Sequence, residues 1–477
     1  MVQAQIDKTI DQVQKGVVVL PPDYTANLCL PETGLDNPTV KKQLEKLANL
    51  GKVHWKAGKV SGTVYHGGKD LETLITNAFR LFCVSNPLHP DVFPGVRIME
   101  SEIIAMILNM YNGSSDACGS VTSGGTESIL MSLKAHRDWA LETKGITKPE
   151  LYPVDNPRVA PISAHAAFDK GCHYFGIQLL AAPVDPKSGE VSISAVRSLI
   201  SANTIMLVGS TPSFPHGSVD DIPALAALAL KHNIGLHVDS CLGGFLIPFM
   251  EKAGYALPMM TDFRVPGVTS ISVDTHKYGF APKGSSVVLY HSKTLRKFQY
   301  FLQTEWPGGV YGSPTMAGSR PGAISAGCWA AMLNFGMDGY VDTTKRILDA
   351  AMHLKHGIQE MKHVRVIGDP VLSVVAFQSC NEEKFKTFAL ADLLSRQDWH
   401  LNVLQFPPAI HLAITLPSST KIVNLLQDIN DAVERLLIDP KAGNGDVSAI
   451  YGTAASVSDR SIIADVTCGF LDALTLN

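Results

Sequence analysis

The 477-residue chain sets 40 Lys and Arg against 44 Asp and Glu, a net charge of −4, and is 45% hydrophobic and 18% charged. That composition describes a soluble enzyme with a core large enough for more than one domain, and its mild acidity gives no electrostatic basis for binding nucleic acid. The longest apolar runs, such as residues 243–250, fall far short of the roughly 18 residues that cross a bilayer. Residues 1–20 are interrupted by Asp7, Asp11 and Lys15 and do not read as a signal peptide.

Residues 1–99 read as an arm rich in Pro, Gly and turn signals, with short helices predicted over 40–50 and 71–82. Residues 100–340 alternate apolar strand runs (204–210, 234–240, 268–273 and 285–290) with amphipathic helices, 222–232 among them. That alternation predicts βαβ units, a mostly parallel sheet and so an α/β fold for this larger domain. A helix over 340–361 leads into a smaller α+β domain, 341–477, with strands over 371–378 and 409–416 and helices over 388–395 and 420–436. The eight cysteines are scattered, without a Cys-x-x-Cys pair or Cys/His metal spacing. No metal is therefore expected, and the thiols read as reduced, in a reducing compartment.

Three segments carry chemistry. Ser123-Gly124-Gly125-Thr126-Glu127-Ser128 precedes a helical run over 129–140. Paired glycines at a helix start let backbone amides approach an anion that the helix dipole favours, and Thr126 adds a hydroxyl. The segment is neither a Walker A nor a Gly-x-Gly-x-x-Gly motif, and alone it would serve as a plain helix-starting turn. Leu236-His237-Val238-Asp239-Ser240 places His237 and Asp239 on one face of a strand. An aspartate at the carboxyl end of a parallel strand lies where ligands bind, and can pair with a protonated pyridine nitrogen. Its plain alternative is a strand-end cap. Ser270-Ile271-Ser272-Val273-Asp274-Thr275-His276-Lys277 is a strand that ends in a lysine able to form a Schiff base with an aldehyde cofactor. A lone lysine there would be a surface lysine. Cradle, aspartate and lysine in this order together point to pyridoxal 5'-phosphate, with His165 the candidate to stack on the pyridine ring. No Gly-x-Ser-x-Gly elbow supports a serine hydrolase, and the intact set argues against a scaffold that has lost its cofactor.

These segments, with Asp262-Phe263-Arg264-Val265-Pro266-Gly267, Ser85-Asn86-Pro87-Leu88-His89-Pro90 and Tyr311-Gly312-Ser313-Pro314-Thr315, resemble the sphingosine-1-phosphate lyase family. That family lies in the group II decarboxylase branch of the fold-type I pyridoxal-phosphate enzymes. The resemblance covers residues 51–471 and implies a transferase-like large domain. It makes Lys277 the Schiff-base lysine, Asp239 the pyridine partner and His165 the stacking ring. Gly124, Gly125, Thr126 and His276 would hold the cofactor phosphate. Tyr65, Asn86, His89 and Lys283 would be the substrate-binding set, with charge and donors suited to a phosphate. The resemblance also implies a homodimer with active sites at the interface, where the 312–315 loop crosses and Ser313 touches cofactor phosphate.

The implied reaction is retro-aldol cleavage of a phosphorylated sphingoid base to a long-chain aldehyde and phosphoethanolamine. A tyrosine, a histidine or the substrate's own phosphate stays open as the hydroxyl base. The enzyme alternative is α-decarboxylation of an amino acid. Eukaryotic members carry a luminal segment and membrane anchor. The chain as it stands predicts a cytoplasmic protein without a transmembrane segment, or the cytosolic face of the endoplasmic reticulum membrane if it is a truncated eukaryotic form.

Overall fold

The computed structural model describes residues 10–11, 24, 26–51, 53–152, 163–180, 182–185, 188–445 and 460–475. The arm opens with helix α1 (Asn37–Ala48), started by Asp36, whose carboxylate accepts from the Thr39 amide at 2.9 Å. Helices α2 (Lys69–Phe82) and α3 (Pro94–Met110) follow. Strand β1 (Cys118–Thr122) runs straight into α4 (Gly125–Lys144). Next come β2 (Glu150–Tyr152), β3 (Gln178–Leu179), β4 (Thr204–Ser210), α5 (Ile222–His232), β5 (Gly235–Asp239), β6 (Ser270–Val273) and β7 (Ser286–Tyr290).

These strands form one seven-stranded sheet in the order β1-β7-β6-β5-β4-β2-β3. Strands β6, β5, β4, β2 and β3 pair in parallel, while β7 is antiparallel to both β6 and β1. Every residue of β4, β5, β6 and β7 is buried, as a sheet covered by helices on both faces requires. The expected strand over 204–210 and helix over 222–232 are found to the residue. Strand β1 was not expected. Its Cys-Gly-Ser-Val-Thr sequence is buried throughout, but by small residues that leave no apolar run to read.

Beyond the sheet, β8 (Phe301–Gln303) and β9 (Tyr311–Ser313) form an exposed hairpin, again unexpected. Helix α6 (Gly322–Gln359) starts well before residue 340 and is interrupted at Gly336 (φ 54°, ψ −167°). Its first half, rich in Gly, Ala and Ser, packs against α2 and α3 and has no polar face to betray a helix. The smaller sheet is antiparallel, in the order β10 (Val364–Val366), β11 (Val374–Ser379), β13 (Ala409–Ala413), β12 (Asn402–Leu404). Helices α7 (Thr387–Ser395) and α8 (Ile422–Ile438) pack together beside it.

A set of bonds from residues 59–65 ties the arm to the smaller sheet. The Gly62 amide donates to the Ala413 carbonyl at 2.8 Å, and the Leu416 amide to the Tyr65 carbonyl at 3.1 Å. The Tyr278 hydroxyl, just past β6, donates to the Ile414 carbonyl at 2.6 Å. Tyr65 is thereby held against Tyr278, ring centroids 4.8 Å apart and edge to face.

Candidate active site

A cavity of about 340 Å³ opens at the carboxyl ends of the strands, where an α/β sheet places its ligands. Gly124, Gly125 and Thr126 form one wall, His165 and Cys241 another, and Asp274, His276 and Lys277 the floor. Each arrives for a local reason. β1 ends at Thr122, so the chain turns through Ser123 and Gly124 into α4. A Cβ on Gly125 would lie 2.8 Å from both Asp274 carboxylate oxygens and from the Cys241 sulfur, so only glycine permits this approach. The amides of Gly125, Thr126 and Glu127 open the helix and have no partner within it.

The parallel register sets Asp239 opposite Ser272 and His237 opposite Ser270. His237 accordingly bonds Ser270 and Ser272 through its two ring nitrogens, at 2.8 and 3.1 Å. Asp239 Oδ1 accepts from Ser272 Oγ at 3.2 Å and from the Cys241 amide at 3.0 Å, so both bonds fall on one oxygen and Oδ2 is left for a cationic partner. The shared strand face that alternation predicted is therefore realised. Burial lowers the His237 pKa to about 4, only partly opposed by Asp239, so this histidine is a neutral part of the frame.

Lys277 Nζ lies 3.0 Å from Asp274 Oδ2. Burial pulls the lysine pKa down, but Asp274, with smaller help from Cys241 and Tyr65, holds it above its ordinary range. Burial likewise raises the Asp274 carboxyl, yet Lys277 and then His276 bring it below the usual carboxylate value. Asp274 Oδ1 is buried without a hydrogen-bond partner. His276 donates through Nδ1 to the Ser285 carbonyl at 2.5 Å, which turns Nε2 toward Asp274 at 3.7 Å. His165 Nδ1 accepts from the Ala167 amide at 3.1 Å, which fixes its ring at the cavity rim.

Lys283 Nζ donates to the His276 carbonyl at 3.3 Å and stands 4.6 Å over the Tyr65 ring. Burial, then repulsion from Lys277, lowers its pKa to about 8 despite Asp274. Burial, with a smaller push from Asp274 against the pull of Lys277, raises the Tyr65 hydroxyl. Lys277, Lys283, Tyr65 and His276 are thus one cluster. Asn86, His89 and Ser313 are not drawn into it within this chain. The Asn86 side chain bonds Ser319 and the amides of Leu88 and Arg320, each at 3.1 Å. His89 is exposed on the same loop. The Ser313 hydroxyl turns back on its own loop, within reach of the Thr315 and Ala317 carbonyls.

Sequence reading passed over Asp274, although it stands three residues before Lys277 in the same strand end. A charged residue directly after the buried run 270–273 was its signal. It also passed over Cys241 and Glu127, whose placement depends on distant segments.

A pyridoxal phosphate fits these residues. The cradle has the free amides and glycine surface for a phosphate, Lys277 is an amine that an aldehyde could take, the Asp239 carboxylate keeps one oxygen that a protonated ring nitrogen could pair with, and the cavity has room for one ring. Fold and site together define a fold-type I pyridoxal-phosphate enzyme. The conserved domain of the pyridoxal-dependent decarboxylases matches residues 22–380. The chain is 48% identical to sphingosine-1-phosphate lyase 1 of Rattus norvegicus, across 99% of this chain and 81% of that one. It is 48% identical to sphingosine-1-phosphate lyase of Saccharomyces cerevisiae, across 93% and 75%. The solved structure of Burkholderia pseudomallei sphingosine-1-phosphate lyase superposes with a TM-score of 0.83 at 38% identity, across 88% of this chain and 96% of that one. Lactobacillus brevis glutamate decarboxylase, at 19% identity and a TM-score of 0.72 across 90% and 97%, shares the fold. This chain belongs to the sphingosine-1-phosphate lyase family. Among the described residues, no helix is long and apolar enough to cross a membrane.

Proposed function

We propose that this chain cleaves phosphorylated sphingoid bases between the amine-bearing carbon and its hydroxyl-bearing neighbour, giving a long-chain aldehyde and phosphoethanolamine. Bound pyridoxal phosphate supplies the electron sink for that bond. Lys277 is the residue that attaches it and exchanges with the substrate amine. Asp239 holds its ring nitrogen charged, and His165 covers one ring face. Gly124, Gly125, Thr126 and His276 bind its phosphate. Asp274 keeps the released Lys277 ammonium within 3.0 Å, positioned to return a proton to the amine-bearing carbon of the product.

The observation that carries the choice of substrate is Lys283, a second cation packed between Tyr65 and the residue next to Lys277. Two lysines this close repel each other, and an anion placed between them relieves that repulsion. Lys283 and Tyr65 suit a phosphate, a compact anion that a point charge and a hydroxyl can hold. A decarboxylase would call for an arginine fork aimed at a carboxylate, and among the described residues no arginine lines this cavity.

Asn86, His89 and Ser313 enter this reading through a homodimer in which loops of one protomer reach the other's site. Exposed Phe301, Leu302, Trp306 and Val310 on the β8–β9 hairpin support such a contact. Eight free thiols suit the cytoplasm or the cytosolic face of the endoplasmic reticulum membrane. The deciding experiment incubates the loaded enzyme with a phosphorylated sphingoid base and, separately, with a set of free amino acids. Long-chain aldehyde from the first is the expected result. Carbon dioxide from the second, with no aldehyde from the first, would replace the lyase reading with a decarboxylase.

A further inference from the structure

Glu127 is buried at the third position of α4, where a carboxylate ordinarily turns back onto the start of its own helix. It does so with one oxygen: Oε2 accepts from the Ser123 amide at 2.6 Å. The other, Oε1, accepts from the amide of Met316 at 3.0 Å, 189 residues further along the chain. Met316 closes the loop that carries Ser313. A second buried side chain reinforces this link. Gln299 Nε2 reaches both the Pro314 carbonyl and Ser120 Oγ of β1, and its Oε1 accepts from the Tyr290 hydroxyl at 2.7 Å. Loop 312–316 is therefore clasped at two points to the strand and turn that form the phosphate cradle. Because Glu127 occupies the Ser123 amide, the cradle's free donors are the amides of Gly124, Gly125, Thr126 and Glu127 itself.

We propose that Glu127 is a positioning residue for the cofactor phosphate. It locks the turn at Ser123 and Gly124 against loop 312–316, so that the free amides of α4 converge on one anion. Its charge opposes a nearby phosphate, but each oxygen is tied to an amide and the whole lies at the positive end of the helix. Geometry therefore outweighs repulsion. The inference rests on the reading of the cradle given above and adds a residue that acts through it.

The test needs no substrate. The cofactor-free chain is titrated with pyridoxal phosphate and, separately, with pyridoxal, which has the same ring and aldehyde but no phosphate. Glu127→Gln turns one acceptor into a donor that faces an amide. Pyridoxal phosphate should bind about tenfold more weakly, the worth of one charge-assisted hydrogen bond, with pyridoxal affinity unchanged. Glu127→Asp keeps the charge but is too short to span both amides, and should show the same selective loss; it carries the test if the Gln variant does not fold. Equal weakening of both ligands would reduce Glu127 to a packing role, and unchanged or tighter pyridoxal phosphate binding would mean that charge relief wins; either result overturns the proposal. A failed aldehyde assay would overturn the proposed reaction and leave this titration intact.

Discussion

The floor that carries Lys277 and the loop that carries Asn86 and His89 are held in very different ways. Lys277, His276 and Asp274 follow a strand buried at every residue, and face a helix start that a single added methyl group would block. Asn86 and His89 stand on a partly exposed loop between α2 and α3, with their bonds made within residues 86–93 and to residues 319–320. Tyr65 lies between these extremes, half-buried and tied to Tyr278 and Leu416, with the exposed Lys283 laid over its ring. The difference teaches that the cofactor side of the site is built by the fold, while the substrate side is assembled on it from segments with few anchors.

Mutations that act on one side only test this contrast. The largest effect belongs to Lys277→Ala, which should lower turnover by about 10³-fold or more and abolish the absorbance of the attached cofactor. Undiminished turnover would end the scheme. Next is Lys283→Ala, expected to raise KM for the phosphorylated substrate about 10–100-fold while the cofactor stays bound. The same lysine sets a pH limit. Its free-enzyme pKa is lowered to about 8 by burial and Lys277, so it is charged below that value and neutral above it. The ratio kcat/KM should fall as pH rises through about 8, and Lys283→Arg should move that fall to higher pH. A wild-type profile flat from pH 7 to about 9.5 would remove Lys283 from phosphate binding. The smallest effect is that of Asn86→Ala, which should destabilise the chain by about 1 kcal/mol through its lost loop bonds and raise KM only severalfold, as the loss of one uncharged donor on a loosely anchored loop would. A rise in KM as large as that of Lys283→Ala would show that Asn86 holds substrate as firmly as the lysine does, and the contrast between the two sides would fail.

Much of the cofactor side was legible because its chemistry is local. Paired glycines before a helix, an aspartate at a strand end and a lysine after a strand are each read within a few residues. Strand β4 and helix α5 were equally plain, since unbroken or periodic burial leaves its mark on the residues themselves. What escaped depends on who stands opposite. Glu127 looks like an ordinary acidic first-turn residue until Met316 is seen beside it. Strand β1 is buried by small side chains, and the first half of α6 by neighbours on several sides, so neither shows a period. Tyr65, Asn86, His89 and Lys283 were assigned by resemblance. Distance places Lys283 and Tyr65 in one cluster, while Asn86 and His89 rest on the proposed dimer.

Gly336 makes α6 two lever arms that share one torsional joint. The first arm is bolted to α2 and α3, the second leads to the small sheet, and no loop lies between to absorb a change of angle. A methyl group at this position would touch nothing within 4 Å, so crowding is not what demands glycine. The torsion is: φ 54° with ψ −167° is a state that side-chain-bearing residues adopt only at a cost of about 1–3 kcal/mol. Straightening the joint would first load the bond from the Tyr340 hydroxyl, four residues on, to the Gly279 carbonyl at 2.8 Å. Further along lie the bonds from Gly62 to Ala413, from Leu416 to Tyr65 and from Tyr278 to Ile414, which together seat Tyr65 beside Lys283.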